Sequence, residues 1–214
     1  QIKICCISSV AESGLAIDSG ADALGLVSQM PSGPGVIPES LIAEIATSAP
    51  ARAATFLLTS LQSADEIIAQ QRRLQTNTIQ ICDRLVAGTT RQIKRALPDV
   101  SLVQVVHVTG AEAVPEAVEV QSYVDAVLLD SGNQDLAVKK LGGTGERHDW
   151  TISKSIREQL DVPLYLAGGL TPDNVVEAIE AVKPSGVDVC SGVRTHGKLD
   201  PSKLEKFIAA VAQC

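Results

Sequence analysis

VPLYLAGGLTPDNVVEAIEAV, residues 162–182, holds a complete folding unit in one line. Pro163–Gly168 reads as a strand that runs into the glycine pair Gly168-Gly169. Thr171 before Pro172 has the form of a helix N-cap followed by a proline at the first helical position. Beyond it Val175, Ala178, Ile179 and Val182 recur at i, i+3, i+4 and i+7, the period of one buried helix face. The unit is a strand, a glycine turn and a helix.

The same alternation runs outward to both ends of the chain. Strands are expected at IKICC (2–6), ALGLVS (23–28), AATFLLT (53–59), TIQIC (78–82), LVQVVHV (102–108), VDAVLLD (124–130), PLYLAG (163–168) and GVDVCSG (186–192). Helical periodicity lies between them, as in SLIAEIATSA, ADEIIAQQRRLQ and PSKLEKFIAAVAQ. Ser63-Ala-Asp-Glu66 has the spacing of a capping box. Strict βα order implies parallel strands joined by crossovers, and eight such units close naturally into a (β/α)8 TIM barrel. The competing fold is an open doubly wound sheet, but that usually has fewer strands, and no GxGxxG turn follows the first strand here. No linker or shift in composition interrupts the 214 residues, so residues 1–214 are expected to form a single α/β domain.

Composition narrows the function. The chain is 45% hydrophobic and only 2% aromatic, which describes a core of Ala, Val, Ile and Leu. A net charge of −7 argues against a nucleic-acid partner, which needs a basic footprint. No apolar stretch approaches the ~18 residues of a membrane helix, and residues 1–6 enter a strand without the basic and apolar segments of a secretory leader. Five cysteines at irregular spacing, with no CxxC, suggest reduced thiols and a cytoplasmic location.

Two loops on the C-terminal side of the strands exceed the usual length: SQMPSGPGVIPES after the second strand and SGNQDLAVKKLGGTGERHDW after the sixth. Barrel enzymes place their sites on this side, and the loops after strands 7 and 8 often bind phosphate. Glycine turns cluster there: Gly142-Gly143-Thr144-Gly145, Gly168-Gly169 and Ser191-Gly192. Any one pair is explained by a tight turn. All of them together at these positions point to phosphate, with Gly143, Gly145, Gly168, Gly169, Ser191 and Gly192 as the contacts, because glycine lets backbone N–H groups approach an anion.

IKIC at the first strand, LLD at the sixth, GGTGxxxDW after it, LAGGLTPDNV at the seventh and GVDVxSGV at the eighth together resemble the phosphoribosylanthranilate isomerase family. The resemblance implies a (β/α)8 enzyme of tryptophan biosynthesis that performs an Amadori rearrangement without a cofactor or metal. Its substrate would be a small phosphosugar, and the enzyme a monomer or homodimer. Carried over, Cys5 becomes the general base and Asp130 the general acid. The residues themselves agree: Asp130 ends an apolar run, which favours a protonated carboxyl. Lys3 lies two residues before Cys5 on the same strand face, where an ammonium favours thiolate. Cys6, expected on the opposite face, reads as packing.

Departures from the family gather where the anthranilate should sit. The family's Ser-Pro-Arg after the second strand is Ser32-Gly-Pro-Gly35 here, and no Arg or Lys occurs between Lys3 and Arg52. Its Gln-Leu-His-Gly is Gln80-Ile-Cys-Asp83, Cys6 stands for a glycine and His148 for a phenylalanine. Arg84, Arg147 or Arg194 are the replacement cations this suggests, with Lys3, Gln80, Cys82 and His107 as further substrate contacts. A different phosphosugar, or a non-catalytic phosphosugar-binding relative, are the alternatives. Cys5, Cys82, Cys190 and His107 suggest a soft-metal site only weakly, since no local ligand pair supports one.

Overall fold

The computed structural model describes residues 1–143 and 145–214. Among them the chain alternates β1 (Ile2–Ile4), α1 (Val10–Asp18), β2 (Ala23–Val27), α2 (Glu39–Ser48), β3 (Ala54–Thr59), α3 (Ala64–Leu74), β4 (Thr78–Ile81) and α4 (Thr90–Ala96). It continues with β5 (Ser101–His107), α5 (Ala113–Val120), β6 (Ala126–Asp130), α6 (Trp150–Arg157), β7 (Leu164–Leu166), α7 (Val175–Val182), β8 (Gly186–Val189) and α8 (Pro201–Val211). Each strand pairs in parallel with the next, and β8 returns to β1, so the sheet is a closed barrel. That pairing excludes the open doubly wound sheet.

Side-chain alternation divides the interior into two regions. One set of strand residues, including Ile4, Leu24, Leu26, Leu57, Ile79 and Leu129, packs outward against the helices. The other set, including Ala23, Phe56, Val103, Val105, Leu128 and Tyr165, fills the barrel. With few aromatics available, Phe56 and Tyr165 meet edge to face, 5.8 Å apart. Gly186 leaves room for the Tyr165 ring, which lies 2.6 Å from where a β-carbon would stand.

Lys3 is completely buried in this interior. Its register partner across the closing seam is Asp188, and the two side chains form an ion pair at 2.9 Å. The ammonium also sits 5.2 Å from the centre of the Phe56 ring, within cation–π range. Burial alone would push the Lys3 pKa down, but Asp188 outweighs it and Cys5 adds to the effect, leaving the ammonium above the ordinary lysine value. Burial likewise raises Asp188, against the pull of Lys3.

The predicted strands end early. β1 stops at Ile4, β7 at Leu166 and β8 at Val189, so Cys5, Cys6, Gly168, Cys190, Ser191 and Gly192 begin loops. The reason is local: Cys6 has φ +62° and Gly168 φ +86°, neither of which a strand accommodates. α7 also starts later than expected. Asn174, not Thr171, is its N-cap, and the Asn174 side chain accepts from Thr171 N and donates to Gly169 O. Ser63 precedes α3 as predicted but makes no side-chain cap bond; Ala64 N instead reaches Ala87 O.

The Lys3–Asp188 pair generates a test by chemical denaturation. Lys3→Met leaves a buried carboxylate unpaired and is expected to cost about 3–5 kcal/mol. The double variant Lys3→Met/Asp188→Val is expected to recover most of that loss in urea unfolding, because no charge then remains to be solvated. Equal destabilisation by the single and double variants would refute the pairing argument.

Candidate active site

A pocket of about 670 Å³, counting its open mouth, lies at the C-terminal end of the barrel. Its walls bring together Cys5 after β1, Gln80 on β4, Asp130 ending β6 and Asp188 on β8, with loop residues above them. Asp188 was not among the sequence candidates, although an aspartate inside the apolar strand GVDV was a signal for it.

The space around Cys5 is made by Gly25 of β2, another residue the sequence reading missed. A β-carbon at Gly25 would stand 2.8 Å from the Cys5 sulfur and 3.2 Å from the Lys3 ammonium. Thiol and ammonium therefore share the hollow this glycine leaves. Asp130 is nearly buried and accepts from the backbone N–H of Ser131 at 2.7 Å. Gly142 covers it closely: a β-carbon there would come within 2.7 Å of its carboxylate. Among the described residues the buried Gln80 amide oxygen has no hydrogen-bond partner, and Gln80 lines the pocket.

The glycine turns after β6, β7 and β8 converge on one side. Gly143, Gly145, Gly168, Gly169 and Ser191 line the pocket. Thr144 of the same turn lies outside the described residues. Close backbone approach explains the composition: a β-carbon at Gly169 would meet Glu146 main chain at 2.9 Å, and one at Gly192 would meet Leu170 O at 2.0 Å. Gly192 thus packs behind the wall. The cradle lies between Asp130 on β6 and Cys5 on β1, since β7 and β8 separate those strands in the barrel order.

Other candidates are placed elsewhere. Lys3 lies below the lining, committed to Asp188. Cys82 is buried outside the pocket lining, and burial pushes its thiol pKa up. His107 is held by Cys82 O at 3.1 Å and abuts Gly132, also outside the lining. Cys6, expected on the opposite face, lines the pocket instead, because its positive φ breaks the strand alternation; its sulfur is 2.7 Å from that of Cys190. Among the described residues no three His, Cys, Asp or Glu side chains form a group able to hold a metal ion.

The three replacement arginines have other partners. Arg84 pairs with Asp135 and Glu116. Arg147 stacks 4.0 Å above Trp150 and faces Glu177. Arg194 binds Glu12 and donates to the carbonyls of Cys5 and Cys6. Lys139, in the long loop after β6, pairs with the buried Asp83 at 2.5 Å, and its carbonyl accepts from the hydroxyl of Ser32, a lining residue. His148 contacts Ser153 at 2.7 Å, and burial holds its imidazole pKa below the usual value. Gly25→Ala is expected to destabilise the fold by about 1–3 kcal/mol through overpacking. Adding Cys5→Ala should restore only part in urea unfolding, because the Cys5 Cα would still stand 3.0 Å from the new β-carbon; a Gly25→Ala variant as stable as the unaltered chain would refute the close contact.

Comparison with known proteins agrees with this architecture. The family model of N-(5'phosphoribosyl)anthranilate (PRA) isomerase matches residues 2–210. N-(5'-phosphoribosyl)anthranilate isomerase of Methanothrix thermoacetophila is 35% identical over 217 residues, covering 100% of this chain and 99% of the relative. N-(5'-phosphoribosyl)anthranilate isomerase 2 of Methanosarcina mazei is 34% identical over 210 residues, covering 97% and 92%. The solved structure of phosphoribosyl anthranilate isomerase from Thermococcus kodakaraensis superposes with a TM-score of 0.80 at 29% identity, covering 100% of this chain and 99% of that one. The chain belongs to the N-(5'-phosphoribosyl)anthranilate isomerase family.

Proposed function

We propose that the chain converts N-(5'-phosphoribosyl)anthranilate to its 1-deoxyribulose amino-ketose, with Cys5 as general base and Asp130 as general acid. The observation that carries this reading is that both groups line one pocket, on either side of the glycine cradle. The cradle's backbone N–H groups receive the 5'-phosphate, aided by the absence of side chains at Gly143, Gly145, Gly168 and Gly169. With the phosphate held there, the ribose spans the gap between the two strand ends.

The chemistry needs one proton delivered and one removed. Asp130 gives a proton to the furanose ring oxygen, the C1–O bond breaks, and the substrate opens to a protonated imine. Cys5 thiolate then takes the proton from C2, and the resulting enol-amine tautomerises to the ketone. Electrons move only within the substrate. A thiol base requires a reducing compartment, which supports a cytoplasmic location.

The anthranilate carboxylate needs a cation, and none of the lining residues among those described is Lys or Arg. We assign it to Lys139. An ammonium has three donors, so Lys139 can keep Asp83 and still meet a second carboxylate. The second reading, favoured by the cation-free lining, is a phosphosugar with an uncharged aglycone.

Complementation of a tryptophan auxotroph lacking this isomerase tests the assignment. The unaltered chain should restore growth, while Cys5→Ala and Asp130→Asn should not, with purified turnover lower by about 10²–10⁴-fold in each. Equal rescue by both variants would sink the acid–base roles. Failure of the unaltered chain to rescue, with inorganic phosphate still raising its Tm, would favour the uncharged aglycone. Lys139→Ala should raise KM about tenfold or more and leave kcat and competitive inhibition by inorganic phosphate nearly unchanged. An unaltered KM would remove Lys139 from the site.

A further inference from the structure

The end of β1 and the end of β8 carry two thiols that the isomerisation does not use. Cys6 and Cys190 both line the pocket, and their sulfurs stand 2.7 Å apart. Non-bonded heavy atoms ordinarily keep roughly 3.5–4 Å, while a disulfide measures about 2.05 Å. Closing the remaining gap brings the two sulfurs together by well under 1 Å.

We propose that Cys6 and Cys190 are a redox-active dithiol, converted to a disulfide by low-molecular-weight disulfides that enter through the pocket mouth. Cys190 is the attacking group, because it is partly exposed while Cys6 is buried. Its thiol pKa is lowered by the hydrogen bond with Cys6, and Arg194 adds positive charge nearby. The step balances as thiol–disulfide exchange. Cys190 thiolate attacks one sulfur of the small disulfide and expels one thiolate. Cys6, losing its proton to that thiolate, attacks the Cys190 sulfur and expels the second. The protein dithiol is oxidised by two electrons, and the small disulfide is reduced to two thiols.

The position gives the bond a structural consequence. Cys6 and Cys190 are 184 residues apart, so the bond closes a loop of most of the chain across the β1–β8 seam. Cross-links over long loops remove the most freedom from the unfolded chain. Oxidation is therefore a staple on the seam that closes the barrel, placed between the residue after Cys5 and the residue before Ser191.

Cys214 is exposed at the end of the chain, and Cys214→Ser removes intermolecular disulfides from the assay. The full chain carrying that substitution is incubated folded with glutathione disulfide, alkylated with iodoacetamide and mapped by mass spectrometry. The expected product is lower in mass by about 2 Da before alkylation, links the Cys6 and Cys190 peptides, and melts on the order of 5–10 °C higher. Dithiothreitol should reverse all three. Adding Cys190→Ser should abolish both the link and the rise in Tm. Should that variant not fold, the mapping of the parent decides alone. The proposal fails if the four remaining thiols are all alkylated after exposure, or if glutathione stays attached to Cys190 without an internal bond. It also fails if Cys5 and Cys6 pair instead, or if Cys190→Ser shows the same rise in Tm.

Discussion

A lysine with no exposure to solvent must bring its counter-charge into the barrel with it. Lys3 does so through Asp188, its direct register partner on the strand that closes the sheet. Desolvating two charges costs several kcal/mol per ion, which only a well-formed pair offsets. Register is thereby constrained: shifting β1 by one residue against β8 would send one charge into the apolar layer beneath the helices. The next inward positions, two residues on, are Cys5 and Cys190 at the mouth. The ion pair is thus the floor directly beneath the candidate site, and its order fixes where the two thiols stand.

Above that floor the site is built largely by what is missing. Gly25 leaves the hollow shared by the Cys5 sulfur and the Lys3 ammonium, and Gly142 lets the loop after β6 lie on Asp130. Gly143 lies against the Pro34 ring, where a β-carbon would stand 2.6 Å from Cδ, so the loops after β2 and β6 touch over the mouth. Gly169 and Gly192 let three consecutive loops interlock through their main chains. A side chain at these places would collide with the neighbouring strand or loop. The scarcity of aromatics fits the same plan, since the barrel interior holds two rings, Phe56 and Tyr165, among small and branched aliphatic residues.

Much of this was legible in the sequence because it depends on period and punctuation. Eight apolar runs separated by helical faces gave the barrel, and the glycine turns marked one wall of its pocket. What escaped has physical reasons. Strand ends were overextended at Cys5–Cys6, Gly168 and Cys190–Gly192, where single positive φ angles or loop contacts end the pairing without any change in hydrophobicity. Cys6 was placed on the wrong face because alternation holds only while the residue remains extended. Cys82 follows the strand of the lining residue Gln80 and His107 ends the neighbouring strand, yet each is consumed by bonds that no spacing rule encodes. Gly25 looked like an ordinary strand residue; its purpose is visible only once β1 lies beside it. The arginines were equally unreadable, since their partners Glu12, Asp135 and Glu177 are distant in sequence or on other elements.

Cys6 raises the sharpest question, because the resemblance puts a glycine there and the backbone adopts a conformation that suits glycine. A left-handed conformation costs a non-glycine residue about 1–2 kcal/mol. The opposing term comes from Arg194, whose guanidinium donates to both the Cys5 and Cys6 carbonyls, at 3.1 and 2.6 Å. Hydrogen bonds to a charged group contribute about 1.5–3 kcal/mol each, so two of them exceed the strain. The guanidinium is itself oriented by Glu12 at 3.1 Å. Burial pushes the Glu12 pKa up, but the backbone N–H groups of Leu199 and Ser8, together with Arg194, hold its carboxylate below the usual value. This chain of contacts links the start of α1, the turn after β1 and the segment after β8. The network is what lets a thiol stand beside Cys5 at the mouth, and it holds that thiol against Cys190 rather than leaving it free in the pocket.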